Sequence, residues 1–328
     1  MSEVHKGLKT WSHLAGPRKR PSEYEIVSTN LLHWTFDRKL PFHLDPNLPM
    51  NRWYRKFVWD SPIQHENWDA FRDPSALTYR SYNAIQDRQE SYVDGLLDEY
   101  DELGHDHTLN PDWMELLARL YTPSRYLFHA VQMSTGYLVQ VAPASTIAIC
   151  ATFQMADALR WVSRIAYRTR ELASHQPDHG FAADERVRWE NEPAWQGFRE
   201  LIERQLISYD WGEALISLNL VVKPAIDEVV IRGLASAAKS QGDTLLALLC
   251  DAQLKDSARS REWTSALVKF VLQKPGNRSA VRQWIEKWNP LADRAIETFS
   301  AALPASSEAS ANAKTGVRAY QRSVELAQ

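Results

Sequence analysis

Two short stretches place an acid and a base at helical spacing: Asp157-Ala158-Leu159-Arg160-Trp161 and Asp256-Ser257-Ala258-Arg259-Ser260, with their aspartates 99 residues apart. Residues three apart share one face of an α-helix. In bundles that hold two iron ions among carboxylates, two helices each supply Glu-x-x-His at this spacing, and two more each supply one Glu. Laid over that frame, the Glu and His places hold Ala158 and Trp161 in the first stretch and Ser257 and Ser260 in the second. Alanine, tryptophan and serine cannot replace a carboxylate and an imidazole as iron ligands. The sequence therefore predicts no metal in this chain. Asp157, Arg160, Asp256 and Arg259 are left to crosslink helices as ion pairs, with chance repetition of a four-residue frame as the alternative reading.

The other ligand positions point the same way. No Asp or Glu lies between Glu115 and Asp157 or between Glu213 and Asp227, where the two lone glutamates would be sought. All ten histidines lie at or before His179, so the second half of the chain has no imidazole to offer. One literal Glu-x-x-His exists, Glu102-Leu103-Gly104-His105, with Asp101, Asp106 and His107 beside it. A self-sufficient metal site built on Glu102, His105 and His107 is the sharper reading of that cluster. A solvated loop at a helix end beside Gly104 is the plainer one. His129 sits on a mostly apolar helix and reads as a core or interface histidine. No Gly-rich phosphate loop, Gly-x-Ser-x-Gly elbow, Cys-x-x-Cys or His-Glu-x-x-His occurs.

What must hold these residues is helical. Gly numbers only 12 in 328 residues, and apolar residues recur at three- and four-residue steps through most of the chain. The expected fold is all-α, a ferritin-like bundle of long helices carrying an extended aromatic N-terminal arm. The arm covers residues 1–62, the helical domain 63–303, and a weakly ordered Ala/Ser-rich tail 304–328. Six of the 16 prolines fall in the arm. So do Trp11, Tyr24, Trp34, Trp53, Tyr54 and Trp59, too many aromatics for a disordered tail. Trp11, Tyr24, Trp53 and Tyr54 are candidate subunit-interface residues, the alternative being that the arm wraps its own domain. The 13 tryptophans suit either a Trp-rich core or a large partner surface.

Start and stop signals divide the domain. Asp73-Pro74 opens a helix to about Leu103, and Asn110-Pro111 opens another that Pro123 kinks or splits. A helix over about 144–174 ends at a loop through Gly180, which joins the two halves. Residues 209–239 form a helix kinked at Pro224, Asp243 caps a helix to about Gln273, and Asn289-Pro290 restarts a final turn.

The charge is −3, from 38 basic and 41 acidic residues mixed along the chain, which leaves no basic stripe for nucleic acid. Cys150 and Cys250 are too few to staple a secreted scaffold, and no apolar run approaches the ~18 residues of a membrane span. A cytoplasmic location without membrane or nucleic-acid partners is expected.

The chain resembles the beta subunit of the hydroxylase component of bacterial multicomponent diiron monooxygenases, in the toluene, aromatic and alkene branch. The likeness is carried by Leu8-Lys9-Thr10-Trp11-Ser12-His13-Leu14, Arg20-Pro21-Ser22-Glu23-Tyr24, Gln89-Glu90-Ser91-Tyr92-Val93 and Ala142-Pro143-Ala144-Ser145-Thr146. It continues through Asp210-Trp211-Gly212-Glu213-Ala214, Trp284-Ile285-Glu286-Lys287-Trp288 and Pro290-Leu291-Ala292-Asp293. The resemblance implies a structural subunit that assembles with a catalytic alpha subunit and a small gamma subunit into a two-fold hydroxylase. It places a diiron centre in alpha, a Rieske iron-sulfur cluster in a ferredoxin and FAD in an NADH-dependent reductase, with a small effector protein regulating turnover. The implied reaction is hydroxylation of toluene-like aromatic hydrocarbons with O2, and no catalytic residue is implied here.

Overall fold

The structure, a computed structural model, describes residues 21–32, 47–304 and 306–325. Its long helices are α1 (Tyr79–Glu102), α2 (Ser124–Val141), α3 (Ser145–His175), α4 (Pro193–Leu206), α5 (residues 211–240), α6 (Thr244–Val271), α7 (Asn277–Ser300) and α8 (Ser306–Glu325). Among the described residues there is no β-strand. Helices α2 and α3, joined across residues 142–144, pack along most of their length, as do α4 and α7.

Most boundaries follow local chemistry. Asn110 caps a short helix, Pro111–Leu116, by accepting from Asp112 N at 2.8 Å. Asp243 caps α6 by accepting from Leu246 N at 2.9 Å. Gly104 and Gly180 take left-handed backbone angles, φ 63° and 71°, just beyond α1 and α3, where a side chain would strain the turn. Within α5 the backbone widens into π turns at Ser217–Val222 and Ile226–Ile231, on either side of Pro224. Proline offers no N–H and crowds the carbonyl four residues back, and the wider turns accommodate it without breaking the helix.

Four expectations need correction. Asp73-Pro74 opens a turn, not a helix: the Asp73 carboxylate accepts from Ser75 N and Leu77 N, both at 3.1 Å, and Thr78 caps α1 instead. Pro290 restarts nothing, because α7 runs through it. Pro290 is exposed, while Trp284, Trp288, Ala292, Ala295 and Phe299 are buried on both sides, and that packing outweighs one missing hydrogen bond. The arm is not uniformly extended, since Glu23–Ser28 and Pro49–Tyr54 are helical and Arg55–Trp59 forms a π turn. The supposed weakly ordered tail contains α8, which buries Ala313, Val317, Gln321 and Val324 against the bundle. Gln321 Nε2 donates to Leu220 O at 2.9 Å, and Arg318 reaches Asp293 at 2.6 Å.

The tryptophans build a core. Trp113, Trp161, Trp195, Trp211, Trp263, Trp284 and Trp288 are all buried, with Trp195 edge-on to Phe299 at 5.0 Å.

Candidate functional site: a polar centre between two matched helices

Helix α3 buries Cys150, Gln154, Asp157, Ala158, Trp161 and Ile165, and α6 buries Cys250, Gln253, Asp256, Ser257, Ser260 and Trp263. Both sets step by three or four residues, so polar groups ride on faces that must be covered. The four degenerate positions, Ala158, Trp161, Ser257 and Ser260, come together. All line one cavity of ≈ 20 Å³, with Asp157, Asp256 and Asp227 of α5 around them. Phe128 and Val131 close it from α2, where no acid is found.

The two frames pair reciprocally. Arg160 of α3 bonds Asp256 of α6, and Arg259 of α6 bonds Asp157 of α3 at 2.5 Å. Because the later residue of each frame meets the earlier residue of the other, the helices are antiparallel and the frames face each other about a local two-fold axis. Arg259 also donates to Asp256 at 2.8 Å, as does Trp161 Nε1. Helix α1 closes the outer side: Tyr82 OH donates to Asp157 at 2.7 Å, and Gln86 Nε2 bridges Asp157 at 2.9 Å and Asp256 at 3.2 Å. Glu90 of the same helix bonds Arg160 at 2.7 Å and also meets Arg164. The third acid, Asp227, accepts from Ser257 Oγ at 2.8 Å and Arg261 Nε at 3.0 Å.

Burial pushes the Asp157 carboxyl up to about 6, with the Asp256 charge adding to the rise and Arg259 and Tyr82 opposing it. Burial likewise works against the charge on Arg259, but Asp157 and Asp256 more than offset it and hold the guanidinium protonated.

Sequence reading missed part of this centre. The repeated frame is longer than Asp-x-x-Arg: Gln154 and Gln253 each stand three residues before the aspartate, so Gln-x-x-Asp-x-x-Arg occurs twice at the same 99-residue offset. That signal was available. Tyr82, Gln86 and Asp227 carried none, because they arrive from other helices through tertiary packing.

The Glu102 cluster does not converge. Glu102 is exposed, His105 Nε2 turns to Asp243 at 3.2 Å, and the His107 ring lies 5.4 Å from that of His175. Asp106 is taken by Arg168 at 2.7 Å and His175 Nδ1 at 3.0 Å. Burial raises the Asp106 carboxyl, yet these two partners hold it below its ordinary range. Among the described residues no three His, Cys, Asp or Glu gather as a metal ion would need. His129 is exposed on α2, so it is not a core residue.

Of the candidate interface residues, Trp11 lies outside the described residues. Tyr24 is spent within its own chain: it is 7 % exposed and its hydroxyl accepts from Asp73 N at 2.9 Å. A residue so covered has little surface to give a partner. Trp53 and Tyr54 are half-buried. Trp53 packs on Phe57 and Tyr209 at 4.5 and 4.9 Å, and Tyr54 OH accepts from Gln140 at 2.7 Å.

Residues 53–275 match the methane/phenol/alkene hydroxylase family, and that segment contains every residue of the polar centre. The chain belongs to this family. Among its hydroxylase relatives, it is 52 % identical over 301 residues, 92 % of each chain, to the toluene-4-monooxygenase system hydroxylase component subunit beta of Ectopseudomonas mendocina. It is 24 % identical to an oxygenase component of phenol 2-monooxygenase from Pseudomonas sp. (strain CF600), over 75 % of this chain and 72 % of that one. A chain from the solved structure of toluene 4-monooxygenase with toluene in its resting active site superposes with a TM-score of 0.87 at 51 % identity, covering 92 % of this chain and 99 % of the other. The phenol hydroxylase of Pseudomonas sp. OX1 shares the fold, with a TM-score of 0.83 at 21 % identity over 99 % and 97 % of the two chains. The protein is thus a hydroxylase subunit of the beta type, one component of a monooxygenase.

Its residues do not fit a diiron centre. The cavity offers Asp157, Asp227 and Asp256 and no histidine, and each of those carboxylates is already bonded to arginine.

Proposed function

We propose that this chain is the non-catalytic structural beta subunit of a cytoplasmic diiron monooxygenase hydroxylase that hydroxylates toluene-like aromatic hydrocarbons with O2 and NADH-derived electrons. Iron then resides in a catalytic alpha subunit, with a small gamma subunit completing the two-fold assembly. Electrons arrive from a FAD-containing reductase through a ferredoxin carrying a Rieske cluster, and an effector protein tunes turnover. This chain supplies packing surface, to which Trp53 and Tyr54 contribute from the base of the arm.

The observation that carries the reading is the reciprocal pairing of Arg160 with Asp256 and Arg259 with Asp157, which commits the carboxylates of the bundle centre to arginine. Such a centre serves as a strut between helices and has no ligand set left to give. The test is iron content after expression with and without the neighbouring alpha subunit. Iron is expected only in preparations containing alpha. About two irons per isolated beta chain would overturn the assignment.

A further inference from the structure

Beside the polar centre, Asp73, Cys150, Gln154, Asp157, Ser260 and Trp263 contribute to the wall of a second space of ≈ 10 Å³. Two of these side chains are buried with one polar atom unsatisfied. Trp263, 3 % exposed, has no partner for Nε1–H, and Gln154, 2 % exposed, has none for Oε1. The amide nitrogen of Gln154 is already engaged with Asn219 Oδ1 at 2.8 Å and Thr135 Oγ1 at 3.4 Å, and Asn219 in turn donates to Thr264 at 3.1 Å. That ladder across α2, α3, α5 and α6 holds the carboxamide in place, so Oε1 cannot swing away to find a partner. An unsatisfied buried donor and acceptor each cost on the order of 1–3 kcal/mol.

We propose that this space is a structural water site, in which one water accepts from Trp263 Nε1 and donates to Gln154 Oε1, tying α6 to α3 beside the paired frames. The chemistry of the two atoms selects the ligand. A metal ion or ammonium could bind Gln154 Oε1 but could not accept the indole N–H, and an anion could accept the N–H but would repel the amide oxygen. Only a small neutral molecule that both donates and accepts satisfies the pair. The volume admits about one water-sized sphere and nothing larger. Asp73, Asp157, Arg259, Ser260 and Cys150 on the same wall supply further polar groups, more than enough for the two to four partners that buried waters have.

The experiment is a high-resolution crystal structure of the assembled hydroxylase component, in parallel with a Trp263→Phe variant. One full-occupancy peak within about 3 Å of both Trp263 Nε1 and Gln154 Oε1 is expected in the parent, and its loss is expected in the variant. A parent site without a peak, Trp263 Nε1 bonded directly to a protein atom, or a peak that survives at full occupancy in Trp263→Phe would each overturn the proposal. If the variant does not assemble, Gln154→Leu gives the same reading from the acceptor side. The iron assay above is independent of this result, so either conclusion can fail alone.

Discussion

Asp256 receives Arg160, Arg259, Trp161 and Gln86, more than any other carboxylate at the bundle centre. Removing it takes one of two carboxylate partners from each of two buried guanidinium groups, Arg160 keeping Glu90 and Arg259 keeping Asp157. Asp256→Ala is therefore expected to lose about 1.5–3 kcal/mol, measured as a lowered midpoint in urea. Asp157 ties stability to pH. Its carboxyl is raised in the folded state to about 6, so the stability tied to its protonation is full below the unfolded value near 4 and is lost as pH rises through about 6. Asp157→Asn should remove that dependence. Compared with the parent, its stability should change less between pH 4 and pH 7, and an unchanged slope would show that Asp157 is not the titrating group. The spacing of Asp157 with Arg160 and of Asp256 with Arg259 was legible in the sequence, and so was the lack of ligands beside them. Their crossed pairing was not, because two local frames do not state which partner lies opposite. The residues from α1 and α5 were invisible for the same reason.

At the scale of elements, close packing makes some positions intolerant of a single methyl group. A Cβ on Gly197 of α4 would lie 2.6 Å from Ala295 Cα of α7 and 2.5 Å from Thr298 Oγ1. Backbone cannot yield as a flexible side chain can, so Gly197→Ala should destabilise by about 1–3 kcal/mol, visible as a drop in Tm. Helix α8 makes a second case. Truncation after Leu303 would uncover the surface beneath Val317 and Val324, both 0 % exposed, and should lower Tm and speed proteolysis of the remainder. A dispensable tail would leave both unchanged. Helix ends marked by Asn110-Pro111, Asp243 and Gly180 could be read from local chemistry, because caps and left-handed turns depend on few neighbours. The errors fell where packing overrode a local rule. Pro290 stays inside α7 because buried residues flank it, and the Ala/Ser-rich tail folds because Ala313, Val317 and Val324 repeat at helical spacing within a composition that suggests disorder.

Over the whole molecule, burial of both thiols gives a probe of global integrity. Cys150 and Cys250 are 4 % exposed, and burial raises both thiols above their ordinary range. A thiol reagent at neutral pH should label neither in the native subunit and both in urea, so labelling at the rate of a free thiol would disprove the packing described around α3 and α6. The paired arginines have a consequence of a different kind. Metalloproteins whose ligands repel one another until an ion arrives link their maturation to ion supply. Here the compensating charge is covalently part of the chain and present from the moment of synthesis. Chelators should leave the unfolding curve of this subunit unmoved, and its folding should not depend on the supply of iron.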